Sequence, residues 1–150
     1  MADVFTKAKR SEVMSRIRSR GNKDTELALA KLLRRHRIRG WRRQIQIITS
    51  PRPSPQRGEG IRVRPDFIFK RVWLAIFVDG CFWHGCPRHA TKPKNNATFW
   101  RRKLTANRKR DVLVTQTLQR AGWRVLRIWE CDLARRSEVC VRRIERGLQR

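Results

Sequence analysis

Between Phe77 and His89 the sequence reads FVDGCFWHGCPRH, thirteen residues holding two cysteines, two histidines and an aspartate, with Phe82 and Trp83 set among them. Cys, His and Asp are the side chains that hold metal ions. Four residues separate Cys81 from Cys86, two separate Cys86 from His89, and Cys131 stands further on in the triplet WEC. Three thiolates and an imidazole make a closed tetrahedral Zn²⁺ site of structural type. Cys81, Cys86, His89 and Cys131 are its expected ligands, with His84 a fifth candidate for four places. The competing reading is that the thiols are buried as small apolar groups. Cys140 falls outside the site.

Two acids flank this stretch. Asp66, in RPDF, is expected within a strand, where a carboxylate is costly unless it is paired or binds a cation. One of the many arginines could pair with it. Alternatively it is a ligand for Mg²⁺, a hard cation that takes carboxylate oxygens and bridges to phosphate. Asp79 ends the following apolar run, and two carboxylates on one strand–turn–strand unit are a way of holding Mg²⁺ for phosphodiester hydrolysis. His84 beside them could pass a proton to or from a reacting phosphate group, or be a structural histidine. Asp111, after NRKR, reads at this level as an acid on a solvated helix face.

The charge says what such a site would meet. Lys and Arg number 38 against 12 Asp and Glu, a formal net charge of +26 with a pI near 11.9. Basic residues run from Lys7 to Arg150, so the whole chain, not a tail, attracts polyanions. Arg is the residue suited to paired contacts with phosphate. No apolar run of about 18 residues and no signal-peptide core is visible, which disfavours membranes and points to a reducing, cytoplasmic setting. The 150 residues suit one domain. Tyr is absent while six Trp are present, rings suited to stacking or packing.

The elements that must position these residues follow from pattern. Residues 1–21 read as a basic arm or short helix. Asn22 and Asp24 are candidate caps for a helix with Leu27, Leu29, Ala30 and Leu33 inward, ended by Gly40. WRRQIQII reads as a strand. Residues 49–60 carry three prolines and two glycines and read as a Pro-rich loop insertion. IRVRPDFIF and VWLAIFVD read as a hairpin, its second strand buried on both faces. Thr98 is expected to open a long helix with Phe99, Leu104, Val114 and Leu118 inward, closed at Ala121-Gly122. WRVLRIW supplies another strand, and Ser137 caps a last helix through Val139, Val141, Ile144 and Leu148. The sum is a mixed α/β domain around one central sheet.

With these motifs in view, RPDF, FVDGCFWHGCP, Phe99-Trp100, NRKRD and GWRVLRIWEC, in this order, resemble the Vsr family of very short patch repair endonucleases. SEVMSRIRSR and TELALAKLL near the N-terminus are similar to it too. The resemblance implies a restriction-endonuclease-like α/β core with a structural zinc. It implies Mg²⁺-dependent nicking of double-stranded DNA 5′ of the T in a T·G mismatch, the product of 5-methylcytosine deamination. By position it makes Asp66 the Mg²⁺ ligand, His84 the catalytic histidine, Asp111 its supporting acid and Glu26 a further acid near the site. It makes Phe82, Trp83 and Trp100 rings that wedge into the base stack, with Met14 entering from the other groove. A DNA-bound monomer in the bacterial cytoplasm, at the nucleoid, is expected, with mismatch-repair proteins as possible partners. Two features depart from the family: Val63 stands where the turn usually has Gly, and residues 49–60 look foreign to their flanks. A zinc-stabilised DNA-binding protein with lost catalysis, and a restriction-type nuclease on matched duplex, are the alternatives.

Overall fold

The structure is a computed structural model that describes residues 8, 25–49, 60–89 and 93–149. Met14, the expected caps Asn22 and Asp24, and most of the Pro-rich segment lie outside the described residues.

Helix α1 (Glu26–Arg35) buries Leu29, Ala30 and Leu33 completely. Leu27, expected inward, is exposed; Leu29, one turn before Leu33, takes the inward place. The helix ends at Arg35, ahead of Gly40. WRRQIQII is not one strand. Gln44 has φ 54, a left-handed kink that separates β1 (Arg42–Arg43) from β2 (Ile47–Thr49). IRVRPDFIF is broken as well, into β3 (Ile61–Val63) and β4 (Phe67–Phe69). Pro65 has no N–H for a ladder, so Asp66 sits in a bend between strands instead of within one. Val63 lies in β3 with ordinary strand geometry, so the Gly expected there is not needed.

A short 3₁₀ turn (Lys70–Val72) leads to β5 (Leu74–Asp79), then to the four-residue helix α2 (Cys81–His84). Helix α3 (Ala97–Arg120) closes with Gly122 at φ 87. Strand β6 (Arg124–Trp129) runs directly into α4 (Glu130–Arg135) and α5 (Ser137–Leu148). Ser137 makes no side-chain cap. Val139, expected inward on α5, is exposed, while Val141 and Ile144 are buried.

The main sheet has the order β1-β4-β5-β6. β4 pairs antiparallel with β1 and β5, while β5 and β6 are parallel and in register from Leu74↔Arg124 to Asp79↔Trp129. β2 and β3 form a separate antiparallel hairpin. Alternation along the strands builds two cores. Phe67, Phe69, Leu74, Ile76, Val78 and Ile128 face α1, α4 and α5. Ile68, Ala75, Phe77 and Val125 face Leu118 and Val114 of α3 and the β2–β3 hairpin. Three layers result, helices on both faces of a mixed sheet.

Candidate active site and metal centre

β5 and β6 are parallel neighbours, so both deliver their following residues to one edge of the sheet. β5 delivers Asp79 and α2, and β6 delivers α4. Cys81 is therefore brought to Cys131 across the ladder. Cys81, Cys86, His89 and Cys131 bring their ligand atoms within 4.8 Å of one another. Cys86 Sγ lies 3.8 Å from both Cys131 Sγ and His89 Nδ1. Tetrahedral ligands bonded at about 2.3 Å to one centre lie roughly 3.8 Å apart, so this donor set fits a metal ion. All four cysteines of the chain are free thiols, and Cys140 stands apart from the cluster. Burial and the neighbouring thiols push Cys81 up to about 12. Burial raises Cys86 too, but N–H groups of Arg88 and His89 and the His89 ring outweigh it and hold the thiol down near 6. One sulfur is thus a ready thiolate, the condition for metal ligation. Arg88, between the ligands Cys86 and His89, reaches Asp132 at 2.7 Å, and Arg136 joins the same carboxylate at 2.7 Å. This pair ties the ligand loop to α4 beside Cys131.

His84 is not among the clustered ligands. It closes α2, and its Nδ1 lies 2.6 Å from Asp111 Oδ2 on α3. Asp111 is on the inward stripe of that helix. The side chains turned toward the body recur as Trp100, Leu104, Asn107, Asp111, Val114 and Leu118, alternating four and three residues apart. Phe99, expected on that stripe, is 58% exposed, and its neighbour Trp100 takes the place against α2. Asn107 donates from Nδ2 to the Trp83 carbonyl at 2.9 Å, docking the two helices. Gly85 ends α2 at φ 67, a left-handed conformation that favours glycine, and the Arg108 guanidinium lies over it.

Asp66 lies beside this pair. Its Oδ2 accepts from the Val78 backbone N–H at 2.8 Å. Gln44 Nε2 donates to its Oδ1 at 3.4 Å and to Glu26 Oε2 at 3.2 Å, linking the two acids. The kink at Gln44 makes this reach possible: the Gln44 backbone N–H also donates to the Asp66 carbonyl at 3.2 Å. Burial, against the Val78 hydrogen bond and helped by the charges of Glu26 and Asp79, raises Asp66 to about 6. A carboxylate held so far from its preferred ionisation, with a second acid bridged to it, fits a hard divalent cation. Asp79 is differently engaged. It is buried, and both of its oxygens accept from Arg127 Nη1, at 2.8 and 2.9 Å, with His84 Nδ1 at 3.8 Å.

The rings follow α2. Phe82 meets Trp83 at 5.1 Å and Trp100 at 5.3 Å, and Trp83 meets Trp100 at 6.0 Å, between ring centroids. All three are only partly buried, so their faces are in part open to solvent. Two residues of the site were not anticipated, Gln44 and Arg127. Gln44 offered no signal, being one polar residue in a presumed strand. Arg127 showed only as a charge within the run WRVLRIW, and it is the strand register that puts it on the face of Asp79.

An acid–imidazole–acid cluster at one edge of a three-layer mixed sheet, beside a Cys₃His group, is an arrangement suited to metal-assisted hydrolysis of a phosphodiester. Comparison with known proteins carries this further. Residues 56–90 match the family profile described as DNA mismatch endonuclease Vsr. The chain is 33% identical over 148 residues to Type II nicking enzyme V.NmeAIP of Neisseria meningitidis, covering 97% of this chain and 94% of that protein. It is 37% identical over 142 residues to DNA mismatch endonuclease Vsr of Escherichia coli, 93% of this chain and 80% of that one. With Type II nicking enzyme V.NaeI of Lentzea aerocolonigenes it shares 51% identity over 73 residues, 49% of this chain and 44% of that protein's length. The chain belongs to the Vsr family of endonucleases.

Proposed function

We propose that this protein nicks double-stranded DNA on the 5′ side of the T in a T·G mismatch left by deamination of 5-methylcytosine. The observation that carries the reading is α2. In four residues it presents a clustered thiol, two stackable rings and an imidazole held by Asp111. The names of the relatives, mismatch endonuclease and nicking enzyme, support it. Zn²⁺ on Cys81, Cys86, His89 and Cys131 would stiffen the loop that carries α2.

Asp66 and Glu26 are the residues that would hold Mg²⁺, which when bound polarises the scissile phosphate and makes water more acidic. The remaining work falls to the chain. Asp111 accepts from His84 Nδ1, which leaves Nε2 to take a proton from the attacking water or give one to the leaving oxygen. Arginines along α3 steady the backbone, which fixes register and carries no sequence information. Phe82, Trp83 and Trp100 would enter the stack, with Met14 entering from the other groove. Unstacking costs a few kcal/mol per step and less at a mismatch, which makes the wedge selective. The segment 49–60 leaves the paired ends Thr49 and Ile61 of the β2–β3 hairpin, a sheet separate from the one behind the site. This favours an active enzyme over a relic. Among the described residues no helix is long and apolar enough to cross a membrane. A monomer acting at the bacterial nucleoid, coupled to mismatch-repair proteins, fits the reading.

The test is a nicking assay with Mg²⁺ at near-physiological salt, comparing a T·G duplex with its T·A counterpart for the parent and His84→Ala. A nick in the T·G strand only, absent in the variant, is the expected result. Equal cleavage of both duplexes would make it a restriction-type nuclease. Binding without cleavage would make it a DNA-binding protein.

A further inference from the structure

Arg127 lies midway along β6, the edge strand paired in parallel with β5, yet its charged side chain turns inward under α3, and it uses all three of its nitrogens. Nη1 spans both oxygens of Asp79, at 2.8 and 2.9 Å. Nη2 donates to the Asp111 carbonyl at 3.3 Å and faces Asp111 Oδ1 at 3.4 Å. Nε donates to Thr115 Oγ1 at 3.2 Å, and the guanidinium rests on the Phe77 ring at 4.7 Å from its centroid. Strand parity explains the meeting. Phe77, Asp79 and Arg127 lie on the face of the sheet that α3 covers, where Asp111 and Thr115 point inward.

Both acids in this fork also face one nitrogen of His84: Asp111 at 2.6 Å and Asp79 at 3.8 Å. A single N–H on Nδ1 can serve one of them. Two carboxylates near one imidazole compete for it, and a buried carboxylate without a partner is costly. We infer that Arg127 is a positioning residue for the nick: it binds Asp79 away from His84 and fixes Asp111 as the one carboxylate that orients the imidazole. The same contact occupies both oxygens of Asp79, which leaves Glu26, linked to Asp66 through Gln44 and 3.4 Å from Arg43, as the second acid that would hold Mg²⁺. Lys could neutralise Asp79 but could not span Asp79, Asp111 and Thr115 together.

This inference rests on the nicking reading for its rate prediction, so the experiment carries a readout that does not. Zinc-loaded parent, Arg127→Met, Arg127→Lys and the double variant Arg127→Met/Asp79→Asn are compared. The measurements are single-turnover nicking of the T·G duplex at saturating protein, duplex affinity by fluorescence anisotropy, and the far-downfield proton resonance of the short Nδ1–H bond of His84. For Arg127→Met we expect loss of that resonance and a nicking rate lower by about 100-fold, the cost of an ångström-scale misplacement. Affinity should stay within about threefold of the parent, because Arg127 is a step removed from the DNA. Removing the released charge in the double variant should recover about tenfold of the rate, with Arg127→Lys in between. If the parent nicks and Arg127→Met nicks within about threefold of it with the resonance intact, the inference is overturned. A loss confined to affinity overturns it equally, by making Arg127 a DNA contact. If Arg127→Met fails to retain zinc, Arg127→Lys decides by the same measures. A parent that does not nick refutes the nicking reading instead, and the resonance still tests the fork.

Discussion

Asp66→Asn should make the protein more stable while abolishing its activity. Burial lifts the Asp66 carboxyl from 3.8 to about 6, so the folded chain holds this proton more tightly than the unfolded one. For an acid raised in this way the penalty is absent below the unfolded value. It grows as pH rises through the interval between the two values and is complete above the folded one. A shift of about two units corresponds to roughly 3 kcal/mol at neutral pH without divalent cation. Asn keeps an oxygen for the Val78 N–H at 2.8 Å but turns an NH₂ toward Gln44 Nε2, forfeiting that hydrogen bond at about 1 kcal/mol. The net gain is about 2 kcal/mol, or roughly 4–8 °C in Tm for a domain of this size. Urea titrations of zinc-loaded parent and variant from pH 4 to 8, without Mg²⁺, measure it directly. The difference should be near zero at pH 4, rise through pH 5 and 6, and level off above. A gain that is the same at every pH, or an Asn variant less stable at pH 8, would refute burial as the cause of the raised pKa. Added Mg²⁺ should narrow the gap by stabilising only the parent.

Four further outcomes follow from the same geometry. Asp111→Asn should lower single-turnover nicking by about 10³–10⁴-fold with duplex affinity unchanged, since Arg127 would keep the amide oxygen and turn the NH₂ to His84 Nδ1, imposing the wrong tautomer. Cys131→Ser should lose the bound metal, checked by native mass spectrometry, and Trp fluorescence should report a loosened α2. In the parent, metal affinity should fall as pH is lowered, because the thiols must give up their protons. Trp100→Ala should reduce the T·G over T·A preference by about 10–100-fold in competition nicking, the worth of one base–ring stack at about 1–3 kcal/mol.

What the sequence made legible was whatever local spacing encodes. The Cys and His ligands, the rings of α2 and the imidazole between them lie in one short stretch, and residue type alone raised them. The break at Pro65 was legible in principle, since a residue without an N–H does not sit inside a ladder. The break at Gln44 was not, because a left-handed glutamine has no compositional mark. On α3 an error of one position put Phe99 inward in place of Trp100. Two adjacent rings stand in the first turns and apolar character alone does not choose between them, so the stripe is readable only from Leu118 backwards. Read that way, Asp111 stands out as an acid on an inward face. The fork at Arg127 depends on which strands pair and in what register, information spread over 48 residues between Asp79 and Arg127 and carried by no local pattern.

The register of β5 against β6 has a consequence for folding fidelity. Cys81 and Cys131 each follow closely on one of the paired residues Asp79 and Trp129. A slip of one residue between these strands would displace one thiol along the ladder by about 3.3 Å and turn the alternating side chains to the opposite face. The four ligand atoms would then no longer converge, and the ion would find no site. Metal capture by this group would thus act as a proofreader of strand pairing. Misaligned chains stay unligated and reversible, correctly threaded ones are locked, and insertions should be tolerated in the hairpin of β2 and β3 but not between either of these strands and its cysteine.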